Sequence, residues 1–199
     1  MKNSLTYNQQ PLNGIILAGG RSSRMGSDKG LLLHNGKSFI EKIIQAVEPL
    51  VSHLIIVGDN PDYDRFGYKR IGDEFKETGP LAGLYSGLKH SDSLWNLVLS
   101  CDVPLISTEL LSKLLQADAR DSDIIQFTNK GDRLPLVALY HKRCLPVCLE
   151  LIRSGEKRLL ELQEHVKTRS TEVPDQFRSQ IRNINTVNDL KSIQHAGKY

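Results

Sequence analysis

A short apolar run, Gly14-Ile15-Ile16-Leu17, opens directly into Ala18-Gly19-Gly20-Arg21-Ser22-Ser23-Arg24-Met25-Gly26-Ser27-Asp28-Lys29, and this junction constrains the fold more than any other stretch. The run reads as a buried parallel strand. The glycines let the backbone take positive φ angles and approach a ligand closely. A loop of this kind can aim several N–H groups at one anion. Arg21, Arg24 and Lys29 add positive charge to it. A first strand ending in such a loop suits a polyphosphate, above all a nucleoside triphosphate.

Two common phosphate-binding patterns are absent. The P-loop, G-x-x-x-x-G-K-[ST], has only a near miss: Gly30 to Gly36-Lys37-Ser38 carries one residue too many between the glycines. Ser38 reads better as a helix N-cap, with Glu41 as its capping-box partner. The dinucleotide pattern G-x-G-x-x-G is also missing.

Beyond the loop, Phe39, Ile40, Ile43, Ile44, Val47 and Leu50 recur at helical spacing, and Pro49 marks the end. His53 to Val57 is the second expected strand, Gly58 to Asp62 a turn cluster, and Tyr68 to Ile71 a short third strand. Pro80 suits the first turn of a helix bearing Leu81, Leu84, Tyr85 and Leu88. Leu94 to Ser100 is a continuous apolar strand ending at Cys101-Asp102. Ser107 or Thr108 caps a helix. Asp123–Phe127 and Leu134–Tyr140 form a hairpin around Lys130-Gly131-Asp132. Helices are expected around Leu145–Arg153 and Lys157–His165. A last strand is expected at Ile181–Ile184, with Thr186 capping a terminal helix. Residues 1–12 read as a loose lead-in to one domain spanning 1–199. Strand and helix in alternation imply an α/β fold, a largely parallel sheet with helices on both faces. Ligands in such sheets bind beyond the carboxyl ends of strands, where the glycine loop, Asp73 and Asp102 all fall.

Composition narrows the classes. With 199 residues, 39% of them hydrophobic, the chain can bury one sizeable core. Its apolar runs are too short to cross a bilayer, and no secretory signal follows Met1. A net charge of +3 is mild, and there is no basic stripe interleaved with aromatics, which argues against nucleic acid. Cys101, Cys144 and Cys148 have no zinc spacing, and a reducing cytoplasm suits them.

The glycine loop, L-A-G-G-x-S-x-R-M-G-x-D-K, resembles the signature of nucleotidyltransferases that activate sugars, alditols and molybdopterin. Asp28-Lys29-Gly30-Leu31 makes the chain most similar to the molybdenum cofactor guanylyltransferases. Gly79-Pro80-Leu81-Ala82-Gly83-Leu84, Cys101-Asp102-Val103-Pro104 and Asn183-Ile184-Asn185-Thr186 followed by Asp189-Leu190 agree, in the expected order. The resemblance implies a three-layer αβα, Rossmann-like nucleotidyltransferase domain. It implies GTP and a molybdopterin-type cofactor as substrates, magnesium as cofactor, and other cofactor-synthesis proteins and acceptor molybdoenzymes as partners.

Nucleotidyl transfer needs a clamped triphosphate, neutralised charge and an acceptor held in line, with no covalent enzyme nucleophile. Leu17, Ala18, Gly19, Gly20 and Lys29 are the expected clamp. Arg24 fits either a two-oxygen grip on phosphate or a surface ion pair. Asp102, just beyond a strand, is the expected metal ligand, since magnesium takes one or two carboxylates plus substrate phosphates. Asp73 matches the nucleotide-contacting Asp of the family, though its charged flanks also suit a solvated loop. Asn183 and Asn185 share one face of an extended segment. The resemblance puts them near the metal, while turn and cap roles fit equally. Gly58, with Asn60 two residues on, departs from a family pattern that carries Asn there. Arg133, Lys157 and Arg158 are open between acceptor binding and solvation. Three readings compete: guanylyl transfer to the molybdenum cofactor; cytidylyl transfer to that cofactor or transfer to a sugar phosphate; and a non-catalytic nucleotide-binding module, which the pairing of Lys29 with Asp102 disfavours.

Overall fold

Strands apolar on both faces must be covered on both sides, because neither face tolerates water. The computed structural model describes residues 6–7, 10–19, 28–76 and 78–195. The chain runs through β1 (Thr6–Tyr7), β2 (Gln10–Leu17), β3 (Leu33–His34), β4 (Lys37–Ser38), α1 (Phe39–Val47), β5 (His53–Val57) and β6 (Lys69–Ile71). It continues through α2 (Pro80–His90), β7 (Trp95–Ser100), α3 (Thr108–Leu115), β8 (Ile124–Asn129) and β9 (Asp132–His141). The remainder comprises α4 (Cys144–Arg153), α5 (Leu159–His165), β10 (Thr168–Glu172) and α6 (Val187–His195). Short 3-10 helices span Lys29–Leu31, Pro61–Phe66 and Asp175–Ile181.

The main sheet has the order β10-β8-β9-β7-β2-β5-β6, with β1 added antiparallel to the start of β2. β2 pairs in parallel with both β5 and β7, β5 with β6, and β8 with β10. Within the seven-strand order described, β9 runs against its neighbours β7 and β8. The two-residue period of each strand divides the core. Leu12, Ile16, Leu54, Ile56, Leu97 and Leu99 face one layer with Ile40 and Ile43 of α1 and Leu110, Leu111 and Leu114 of α3. Ile15, Leu17, Ile55, Val57 and Val98 face the other, with α2, α4 and α5.

Most local signals hold. Ser38 caps α1 in a full capping box, its N–H donating to the Glu41 carboxylate at 2.6 Å. Ser107 caps α3, and Thr186 and Asp189 exchange capping bonds at the start of α6. Asn35 and Gly36, both at positive φ, make the turn between β3 and β4.

Two expectations need correction, and one strand was not foreseen. The segment before Asn13 is not a loose lead-in throughout: β1 and β2 already pair there, and Tyr7 is buried edge-on against Trp95. Ile181–Ile184 is not a strand. Ile181 ends a 3-10 helix, and Ile184 is buried against Phe39 while its N–H donates to the Asp102 carbonyl at 2.8 Å. Apolar side chains marked that segment, but they serve loop docking rather than a ladder. β10, Thr-Arg-Ser-Thr-Glu, has no apolar stripe because it is an edge strand held by backbone pairing to β8.

Candidate functional site

The parallel strands β2, β5, β6 and β7 end side by side, and a cleft of about 780 Å³ opens beyond their carboxyl ends. Leu17, Ala18 and Gly19 form its floor at the end of β2, with Lys29 on the returning chain. Asp73 enters after β6, Asp102 after β7, and Gly79, Pro80 and Gly83 come from the start of α2. Leu17, Ala18, Gly19, Lys29, Asp73 and Asp102 are therefore neighbours in space although they are spread over positions 17 to 102 of the sequence. Gly20, Arg21 and Arg24 lie outside the described residues.

The edges of the cleft are tied down by backbone and side-chain bonds. Ala18 N–H donates to the Val57 carbonyl at 2.8 Å, and Cys101 N–H to the Leu17 carbonyl at 3.1 Å. The Asp73 loop is fixed from α2: Ser86 Oγ accepts from the Glu74 N–H at 3.0 Å, Lys89 pairs with the Glu74 carboxylate at 2.7 Å, and Phe75 packs edge-on against Tyr85. Gly79 has φ +74 and ψ −167, a region open to glycine alone, and a Cβ there would meet Lys157 Cβ and the Lys157 carbonyl at 3.1 Å. That approach lets Leu81 N–H donate to the Lys157 carbonyl at 3.3 Å, so the α4–α5 connection closes over the start of α2.

The lining alternates in charge. Lys29, Lys76 and Lys157 face it, as do Asp28, Asp59, Asp73 and Asp102. Burial, and then the neighbouring Asp59 charge, pushes the Asp73 carboxyl up to about 6. Oδ1 of Asp73 and Oδ1 of Asp102 are buried with no hydrogen-bond partner among the described residues. Buried carboxylate oxygens are costly to leave unpaired, so these two atoms fit a cation. Among the described residues no three Asp, Glu, His or Cys side chains gather around one point. A cation held here would take one or two protein carboxylates and complete its shell from substrate and water, the habit of magnesium. Burial, with the Asp102 charge beside it, pushes the Cys101 thiol up to about 12, so it stays protonated.

The asparagine segment reaches the cleft through one residue. Lys29 Nζ donates to Asn185 Oδ1 at 2.6 Å, and Ile184 N–H fastens that segment to the Asp102 loop. Both asparagines are exposed and neither is part of the lining; Asn185 meets the cleft through Lys29. The Lys157-Arg158 pair splits. Lys157 faces the cleft, whereas exposed Arg158 pairs with Glu156 at 2.8 Å. Arg133 pairs with Glu164 at 2.7 Å, and Leu136 of the same strand lines the cleft. Asn60 also lines it, but its side chain is engaged by Asp28 and by the Asp62 N–H, while Gly58 lies close against the Ala18 backbone. Asp59, Lys76 and the Tyr63 contact described below carried no sequence signal beyond a turn cluster or a charged loop.

Comparison with known proteins points one way. A family model described as a MobA-like NTP transferase domain matches residues 14–168. A probable molybdenum cofactor guanylyltransferase of Flavobacterium johnsoniae is 36% identical over 184 residues, covering 92% of this chain and 97% of its own. A molybdenum cofactor guanylyltransferase of Vibrio parahaemolyticus is 35% identical over 180 residues, covering 88% and 91%. The fold is similar to the crystal structure of molybdopterin-guanine dinucleotide biosynthesis protein A of Archaeoglobus fulgidus, at 23% identity and a TM-score of 0.78, over 92% of this chain and 97% of that one.

Proposed function

Since the chain belongs to the MobA-like NTP transferase domain family, we propose that it transfers GMP from GTP to a molybdopterin-type molybdenum cofactor, releasing pyrophosphate, and that residues 1–199 form one domain for this task. The observation that carries the reading is the cleft itself: Lys29, two buried carboxylate oxygens unpaired among the described residues, and Leu17, Ala18 and Gly19 meet beyond the ends of parallel strands.

In this reading Leu17, Ala18, Gly19 and Gly20 offer backbone to the nucleotide. Lys29, with Arg24 five residues earlier in the same loop, meets the triphosphate. Asp73 contacts the nucleotide, and Lys157, across the cleft at the end of the α4–α5 connection, holds the anionic end of the acceptor. Asp102, with Asp73 at hand, would hold magnesium, and Asn185 supports Lys29. Magnesium, when bound, neutralises charge that builds on phosphate oxygens. The protein's own contribution is positioning: the acceptor phosphate is brought into line with the α-phosphate, and water is excluded from the space between them. No helix of the described residues is long and apolar enough to cross a membrane, and buried free cysteines suit a cytoplasmic setting. Acceptor molybdoenzymes and other cofactor-synthesis proteins are the partners this reaction calls for.

The test measures pyrophosphate release with GTP, CTP, ATP and UTP, each with and without molybdopterin-type acceptor and magnesium. GTP with acceptor and magnesium is expected to be fastest. Preference for CTP would move the protein to cytidylyl transfer, and turnover only with a sugar phosphate would replace the acceptor.

A further inference from the structure

Asp28 is held from three sides. Its Oδ1 accepts from the Gly30 N–H at 3.0 Å and from the Tyr63 hydroxyl, and its Oδ2 accepts from Asn60 Nδ2 at 2.9 Å. With both its oxygens engaged, Asp28 differs from Asp73 and Asp102, each of which has a buried Oδ1 with no partner among the described residues. Asp28 is also the N-cap of the turn Lys29–Leu31, so its conformation sets where Lys29 begins.

The two side chains that hold Asp28 come from the connection between β5 and β6. Tyr63 is fully buried in the layer containing α1, and its hydroxyl lies 3.4 Å from the Ala18 carbonyl. Burial first, then the bond to Asp28, drives the phenol well above its usual pKa, so it stays a donor. Asn60 is used at both ends. Its Oδ1 accepts from the Asp62 N–H at 3.0 Å and caps a 3-10 helix, while its amide nitrogen reaches Asp28. Gly30 completes the fit. A Cβ there would lie 3.2 Å from Tyr63 ring carbons and would collide with the hydroxyl. The Asp-Lys-Gly order is therefore matched to a phenol that arrives from elsewhere in the chain.

We infer that Tyr63 and Asn60 are positioning residues for Lys29: by fixing Asp28 they hold the turn that aims the Lys29 ammonium at the place where Asn185 now receives it. The physical reason is entropic. Lysine carries its charge on a flexible four-carbon stem, and ordering that stem on binding costs affinity unless its root is already fixed. The inference rests on the reading of Lys29 as a phosphate contact.

The experiment is a double-mutant cycle on GTP affinity, measured by calorimetry with wild type, Tyr63→Phe, Lys29→Ala and the double variant, with thermal melting as the folding control. Tyr63→Phe keeps the buried ring and removes one hydroxyl. Asn60→Ser is the second variant, because serine keeps an oxygen for the cap and drops the amide donor. Either is expected to weaken GTP by about tenfold, a size usual for coupled neighbours, and to have almost no effect once Lys29 is alanine. That non-additivity is the signature of an effect routed through Lys29. Equal losses in both backgrounds would mean a purely structural role and overturn the inference, as would unchanged affinity in the single variants. If Lys29→Ala alone leaves GTP binding intact, or the wild type binds no GTP, the reading of the site falls and takes this inference with it.

Discussion

Asp73→Asn should make the folded protein more stable at neutral pH while reducing its activity. In the fold the Asp73 carboxyl titrates at about 6, raised first by burial and then by Asp59. In an unfolded chain an Asp titrates at about 3.9. The folded state therefore holds the proton more tightly. The favourable contribution is complete below about pH 4 and is lost as the pH rises through 6, so at pH 7.5 the ionised side chain is a net cost. A difference of about two pH units corresponds to about 3 kcal/mol if all of it applied. The side chain is only partly buried, and solvent screening reduces this to about 1–2 kcal/mol. Asparagine has the same shape and the same unpaired buried atom but no charge. Its gain should raise the melting temperature by about 2–8 °C for a chain of this size. Melting curves of both proteins, without nucleotide, at pH 7.5, 6 and 4.5 provide the assay. The advantage should shrink to about a third at pH 4.5. A gain that is independent of pH, or a loss of stability at pH 7.5, would refute the argument that desolvated charge is the cause.

Three further outcomes are expected. Asp102→Asn should keep the fold, since the residue sits at a strand end, and lower turnover by about a hundredfold or more; near-normal turnover with an unchanged magnesium dependence would make it a turn residue only. Lys29→Ala should weaken GTP far more than guanosine in a titration, because it removes charge facing phosphate and not the base; equal weakening of both would move Lys29 away from the triphosphate. Gly79→Ala should cost about 2–3 kcal/mol in urea denaturation, since it forces a side chain into a glycine-only conformation and onto Lys157; a cost below 1 kcal/mol would show that the α4–α5 connection yields easily.

Local rules carried much of this protein. The apolar run into the glycine loop, the Ser38–Glu41 capping box, Pro80 at the head of α2 and the apolar run ending at Cys101-Asp102 each act within a few residues, so periodicity and capping chemistry were enough to read them. Because parallel strands of one sheet must present their carboxyl ends to the same side, that pattern also implied that Gly19, Asp73 and Asp102 would converge. What it did not contain were the choices made by packing. Polar β10 is a strand only because β8 offers it an open edge. Ile184 is apolar because it docks on Phe39 and ties Asn185 to the Asp102 loop. Lys157 and Arg158 are adjacent and equally charged, and only the carboxylate of Glu156 and the approach of Gly79 turn one outward and one into the cleft. Asp28 and Tyr63 are 35 residues apart. Contacts of that kind leave no periodic trace in a chain, because they depend on where separate elements come to rest against each other and not on the residues beside them.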